Sequence, residues 1–456
     1  MARAPRQDGL QAPLPPARGV RRPPLARSGR DRGRVSRRSS EAVWWRGPAF
    51  WLGLAAGVLV TACVRVNVHG TRPGPEPLRV ATYNTSLYDD VSGRLINRLE
   101  AGDEPARRIA AVLQRVRPDI VLLNEFDFDP AHRAADLFQR HYLEVAQSGG
   151  GRPLHYPYRF LAPVNTGVPS GLDLDRSGSL PGVDAGADDP AEAARKRGNN
   201  AWGYGLHPGQ YGMLVLSRFP IDANAVRTFQ RLRWSTLPGA HAPVDPETGQ
   251  PWYPPHVWSQ LRLSSKSHWD VPVHTPQGVL HLLAAHPTPP VFDGPENRNG
   301  LRNFDEIGLW KRYLDGGSSK WLCDDRGRCG GLSPDAAFVI AGDYNADPTD
   351  GEGEPGAIAQ LVAHPRVNGS VVPRSAGAPE RASAHSLPRR GDTAAHTGDF
   401  GPRTGTLRLD YVLPSRELRV HDAGVFWPPA DSPDAALAGA SDHRAVWIDV
   451  TLPATD

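Results

Sequence analysis

Run after apolar run in this chain ends in a side chain that can bind a cation or move a proton. Phe338–Val339–Ile340–Ala341 stops at Gly342, and Asp343 and Asn345 follow one residue apart. "LRVATYN" ends in Asn84, "DIVLLNEFD" carries Glu125 near its end, and "VLHLLAAHP" carries His286. "TLRLDYVLP" contains Asp410, and Ser441–Asp442–His443 stands just before "AVWIDVTL". Asp343 and Asn345, at i and i+2, are expected on one side of an extended segment, where they could grip one ligand together. Each residue alone has a plainer explanation. Gly, Asp, Asn and Pro348 describe any strand entering a turn, Asn84 is a turn former, Glu125 could be a surface acid and Asp410 a sheet-end ion pair. Together they predict a single cleft at one edge of the sheets.

The elements that must position these groups can be read from hydrophobic period. Alternation marks strands at 78–84, 211–221, 279–287, 336–345, 406–414 and 445–452, and a buried apolar run marks another ending at Glu125. Pro105 opens a helix whose apolar face is Ile109, Val112, Leu113 and Val116, and Pro118 stops it. Residues 303–317 read as an amphipathic helix ending at Gly316. Strands outnumber helices and the two types mix, which points to α/β with packed sheets. No internal repeat at a fixed period is found. At 456 residues and 39% hydrophobic, the chain can bury a sizeable core, and 47 Gly with 46 Pro imply long ordered loops.

Charge is unevenly placed. Residues 1–47 hold twelve Arg against Asp8, Asp31 and Glu41, a net +9 of the chain's +3, which leaves −6 for the remainder. The folded part is therefore mildly acidic, which argues against a sequence-independent grip on nucleic acid, since that grip depends on Lys and Arg neutralising phosphates. Residues 1–47 lack hydrophobic periodicity and are expected to be disordered. Residues 48–63 contain the uncharged stretch "AFWLGLAAGVLVTAC", short for a spanning helix but suited to a secretory signal. Val60–Thr61–Ala62–Cys63 resembles a bacterial lipobox, with Cys63 the lipidated residue. Lipoprotein, uncleaved anchor and cleaved signal all stay open, and all three place the protein outside the cytoplasm, membrane-associated or secreted. Residues 64–77 form a Pro/Gly-bearing linker and 78–456 the folded domain. Cys323 and Cys329, bracketing a tight polar loop in an exported protein, are expected to form a local disulfide. Closing so short a loop stabilises by about 2 kcal/mol in the chain-entropy model.

The motifs "TYN" (82–84), "LNEFD" (123–127), "GMLVLSRFPI" (212–221), "AAHPTPP" (284–290), "GDYNADP" (342–348), "LRLDYVL" (407–413) and "SDHRAVW" (441–447) resemble those of the endonuclease/exonuclease/phosphatase superfamily, in the family's order. The resemblance spans residues 78–452. It implies a four-layered α/β/β/α sandwich of two mostly antiparallel sheets, with the site at one sheet edge. It further implies metal-assisted attack of water on a phosphoester. Glu125 would bind a divalent cation with Asn84 beside it and Asp442 at a metal-proximal position. Hard oxygen ligands suit Mg²⁺ or Mn²⁺. Asp343 would orient or deprotonate the attacking water and Asn345 would hydrogen-bond the phosphoryl group. Asp410 would fix the tautomer of His443, which acts as base or phosphate clamp, and His286 would act on phosphate or leaving group.

Two segments of the long middle region (144–278) carry readings of their own. "DLDRSGSLPGVD" (173–184) is like the first half of a calcium loop, with Asp173, Asp175 and Ser177 as ligands, Gly178 the sharp turn and Asp184 in place of the usual Glu. A solvated acidic loop is the alternative. "SSKSHWD" (264–270) could bring Lys266 or His268 to the phosphate, or could be a surface strand. The sequence thus points to an exported, membrane-associated, monomeric phosphoesterase using Mg²⁺ or Mn²⁺, with a loop at 173–184 that could take structural Ca²⁺. The substrate stays open between nucleic acid, as for an extracellular nuclease, and a phospholipid or sugar phosphate, because the scaffold is shared. A non-catalytic binding module on the same scaffold is the third reading, opposed by the intact Glu125, Asp343, Asn345, Asp410 and His443.

Overall fold

The computed structural model describes residues 75–178, 190–317 and 319–453. The segments read above as tail, signal and linker, with Cys63, lie outside the described residues up to position 74, as does Asp184. Among the described residues no helix is long and apolar enough to cross a membrane.

Thirteen strands are described: β1 (Leu78–Leu87), β2 (Ile120–Phe126), β3 (Tyr158–Phe160), β4 (Met213–Ser217), β5 (Arg227–Thr228), β6 (His268–Thr275), β7 (Gly278–Ala285), β8 (Phe338–Asp343), β9 (Gly398–Asp399), β10 (Thr406–Leu407), β11 (Asp410–Pro414), β12 (Arg419–Val425) and β13 (Val446–Thr451). One sheet runs β12-β13-β1-β2-β4-β3 and the other β11-β8-β7-β6-β5, while β9 and β10 pair by themselves. Each large sheet contains a single parallel pair, β1 with β2 and β7 with β8. The remaining pairs are antiparallel.

Side-chain alternation builds the layers. Val80, Ile120, Leu122, Met213 and Val215 of the first sheet pack against Val271, Leu282, Val339 and Ala341 of the second. The opposite face of the first sheet, with Ala81, Tyr83, Val121 and Leu123, buries Ile109, Val112, Leu113 and Val116. These four residues come from the helix Glu104–Val116, which Asp103 caps by accepting from the Ala106 N–H and which Arg117 ends at φ 53°. The outer face of the second sheet, with Leu283, Phe338 and Ile340, buries Ile307, Trp310 and Leu314 of the helix Arg298–Leu314. Helix, sheet, sheet, helix is the expected four-layered sandwich.

Several elements differ from the sequence reading. The strand expected over 406–414 is broken in two, because the Arg408 N–H donates to Asp347 and the Leu409 N–H to Thr397 rather than to a ladder. The strand expected over 211–221 is only β4. It ends where Ser217 Oγ bonds both the N–H and the carbonyl of Phe219 in a local turn. Residues 268–275 form a buried central strand, not a surface one. The edge strand β12 and the helix Arg94–Ala101 have no counterpart in the sequence reading.

Candidate active site

The two parallel pairs place the chemistry. Both require a crossover, and the crossovers carry the helices Glu104–Val116 and Arg298–Leu314, so both pairs end at the same edge of the sandwich. Asn84 and Glu125 sit at the ends of β1 and β2, and His286 and Asp343 at the ends of β7 and β8. Gly342, at φ 151°, lies so close to β7 that a Cβ there would stand 2.0 Å from the Ala285 carbonyl oxygen. Only glycine allows that approach.

Asp343 is the hub. Its Oδ2 accepts from Asn84 Nδ2 at 3.0 Å, across the two sheets. Nε2 of His286 and Nε2 of His443 each lie 3.5 Å from the same oxygen. Its Oδ1 accepts from the Asn345 N–H at 2.9 Å, and its own N–H donates to Asn124 Oδ1 at 3.3 Å. Asn345 does not share a side with Asp343 by strand alternation, as the spacing suggested. β8 ends at Asp343, Asn345 adopts φ 50°, and the Asp343 carboxylate closes the turn. This brings Asn345 Nδ2 to the Pro287 carbonyl at 3.1 Å, beside His286.

His443 Nδ1 lies 2.8 Å from Asp410 Oδ2, which also accepts from Thr397 Oγ1 at 2.7 Å. Burial alone would strip the proton from His443. The carboxylates of Asp410, Asp343 and Asp442 outweigh it and hold the ring protonated well above the ordinary histidine range. His286 behaves oppositely. Burial, then the cations Lys266 and His443, keep it neutral, and its Nδ1 has no partner. Burial pushes Glu125 up to about 7, against the Asn84 hydrogen bond and the His443 charge, with Asp442 and Asp343 adding to the rise. Glu125 holds φ 54°, a costly conformation for a non-glycine residue at a strand end. Asp442 is exposed beside it and accepts from Ser86 Oγ at 3.1 Å.

One atom each from Glu125, His286 and Asp343 lies within 4.8 Å of the others, as does one each from Asp343, Asp410 and His443. The donor set on the Glu125 side, with Asn84 and Asp442, is rich in hard oxygen and fits a small divalent cation. A carboxyl pushed up to about 7 chiefly by burial, with an imidazole nitrogen nearby that has no partner among the described residues, is what such a charge would relieve.

Of the expected site residues, Asn84, Glu125, His286, Asp343, Asn345, Asp410, Asp442 and His443 all meet at this edge. Lys266 joins them, since its charge reaches His286. His268 does not. It is buried, held by Ser264 Oγ and the Glu306 carbonyl, and packed on Trp310, with burial depressing it to about 4. Of the 173–184 segment, residues 173–178 are described, and their carboxylates bond locally and to Asn199 and Asn200. Asp173 accepts from the N–H groups of Ser177 and Gly178, and Asp175 from Asn199 and Asn200. Cys323 and Cys329 are joined by a disulfide.

Sequence reasoning missed Asn124, Thr397, Glu306 and Tyr211. Asn124 was visible as the polar residue preceding Glu125 inside "IVLLNEF". Tyr211, at φ 55°, packs on Tyr88 with ring centroids 4.5 Å apart, and the Glu125 charge reaches both phenols. Thr397 and Glu306 gave no signal, because their roles are set by folding over long separations.

The endonuclease/exonuclease/phosphatase family model matches residues 81–443. The chain belongs to that family. Among solved structures, it is similar to an endonuclease/exonuclease/phosphatase from Beutenbergia cavernae DSM 12333, at 20% identity and TM-score 0.43, covering 83% of this chain and 72% of that one. It is also similar to sphingomyelinase C from Streptomyces griseocarneus, at 17% identity and TM-score 0.39, covering 82% and 99%. A third likeness is to a family protein from Leptotrichia buccalis C-1013-b, at 12% identity and TM-score 0.38, covering 82% and 100%. No curated protein sequence matches.

Proposed function

We propose that this protein hydrolyses a phosphodiester with the help of Mg²⁺ or Mn²⁺, at a membrane surface outside the cytoplasm. The observation that carries the chemistry is the convergence on Asp343 Oδ2 of three separate side chains, Asn84, His286 and His443. Glu125, with Asn84 and Asp442 beside it, would hold the cation, which supplies positive charge to the phosphoryl oxygens. Asp343 is fixed through both its oxygens, suited to orient a water and take its proton at Oδ2. The carboxylates around His443 favour its protonated form, which supports a role as donor from Nε2 over that of base. Asp410 and Thr397 lock its other nitrogen. Neutral His286 and the Asn345 carboxamide flank the opposite side.

The location rests on the apolar segment 48–63 and Cys63. The net −6 of residues 48–456 favours a lipid-borne or small phosphodiester over long nucleic acid. The test is a panel of sphingomyelin, phosphatidylcholine, a generic phosphodiester, a generic phosphomonoester, plasmid DNA and RNA, each with Mg²⁺, Mn²⁺ or chelator. The expected result is cation-dependent turnover of a diester, fastest on a lipid, by protein in the membrane fraction. Turnover of DNA alone, or cytosolic protein, would contradict the reading.

A further inference from the structure

Lys266 is buried, and the mechanism above gives it no task. Sheet register places it. His268 pairs with Ala285, so Lys266, two residues earlier, lies beside the segment His286–Thr288 that continues β7. Burial lowers the Lys266 ammonium below the ordinary lysine range, against the pull of Glu306 first, then Glu125 and Asp343. A structural lysine would close an ion pair with the first of these. Glu306 instead accepts from the N–H groups of Ser265 and Thr288, one on each oxygen. Among the described residues no carboxylate pairs directly with Lys266, although a buried charge normally finds a partner.

The backbone around it is fixed along its length. The Lys266 carbonyl accepts from the Asn165 N–H at 2.9 Å, and Asn165 Nδ2 donates to the Ser264 carbonyl at 2.7 Å. Asn165 Oδ1 in turn accepts from Arg262. A Cβ on Gly203 would stand 1.9 Å from the Ser265 carbonyl oxygen, so only glycine lets that neighbouring loop close on the segment. His268 anchors the other end to the Glu306 carbonyl. Asn165 and Gly203 of the middle region therefore hold the backbone beside Lys266, whose charge acts on Glu125 and Asp343. A buried ammonium without a direct carboxylate partner among the described residues suits a tetrahedral oxyanion.

We propose that Lys266 binds a non-bridging phosphoryl oxygen of the substrate, so that the site gains affinity with each negative charge on the phosphoryl group. The proposal deepens the hydrolase reading and rests on it for the identity of the ligand. The inference is tested with the whole protein and inorganic phosphate as probe, by titration calorimetry with and without Mg²⁺. Lys266→Met should weaken phosphate binding at least about tenfold in both conditions, as expected for losing a charge-assisted hydrogen bond. Lys266→Arg should restore most of it. Lys311→Met, on the exposed face of the helix Arg298–Leu314, should leave it unchanged. On any phosphoester that is turned over, Lys266→Met should raise KM more for a monoester dianion than for a diester monoanion. If Lys266→Met fails to fold, Lys266→Gln replaces it against Lys266→Arg. Unchanged phosphate affinity in the Met or Gln variant, or an Arg variant as weak as Met, would overturn the proposal. Phosphate binding that depends on Lys266 in a protein that hydrolyses nothing would keep the subsite and sink the hydrolase reading. Hydrolysis with phosphate binding indifferent to Lys266 would do the reverse.

Discussion

At the scale of single residues, the site is a set of charges that fit poorly without a cation. Glu125 carries a folded-state pKa of about 7 against an ordinary 4.5, through burial and the neighbouring Asp442 and Asp343. Between those values the folded protein holds a proton that the unfolded chain has released. Stability from this group is therefore fully present below about pH 4.5 and falls as pH rises towards 7. Glu125→Gln removes the titration. Cation-free wild type should lose about 2 kcal/mol relative to this variant between pH 5 and pH 8, and Mg²⁺ should close the gap. Asp127, also raised to about 7, titrates in both proteins and cancels. Parallel stability curves for the two would count against the strained carboxyl. The residues that bear chemistry were legible because carboxylates, carboxamides and histidines are conspicuous at the ends of apolar runs. Glu306 was not, because a Glu at that place in a helix reads as surface until Ser265 and Thr288 are found on its oxygens.

At the scale of elements, the two parallel strand pairs decide where the chemistry sits. Hydrophobic period located the strands of both pairs, since buried apolar runs are unmistakable. It could not show that they run parallel, because direction depends on the crossover and not on local pattern. It also overran strand ends wherever a side chain competes for backbone, as Ser217, Asp347 and Thr397 do. The turn at Asn345 is the same effect within the site. Gly342 is where β8 is pressed against β7 with no room for a side chain. Gly342→Ala should force β7 and β8 apart, separating His286 from Asp343. The expected cost is about 2 kcal/mol or more in denaturant unfolding, with activity lost at temperatures where the variant is still folded. A variant as stable and active as wild type would show that the close approach has no bearing on the site.

At the scale of the whole molecule, two sheets meet at one edge and each supplies half of a single charge network. The first brings Glu125, Asn84, Asp442 and His443; the second brings His286, Asp343, Asn345 and Asp410. Asn84 to Asp343, the Asp343 N–H to Asn124 and His443 to Asp410 are among the bonds that cross between them. The family motifs were readable in order along the sequence, so the sandwich and its active edge were accessible before any coordinate. The middle region was opaque, because its hold on Lys266 runs through Asn165 and Gly203, whose contacts no local pattern encodes. The central claim is that this edge hydrolyses phosphoesters with a divalent cation and a protonated His443. Its most direct test is the initial rate on the best substrate of the panel, for wild type and His443→Ala, in saturating Mg²⁺ and in chelator. The account predicts turnover by wild type with Mg²⁺ only, and a loss of at least about 100-fold in His443→Ala. Turnover that survives chelator, or a His443→Ala variant as fast as wild type, would contradict it.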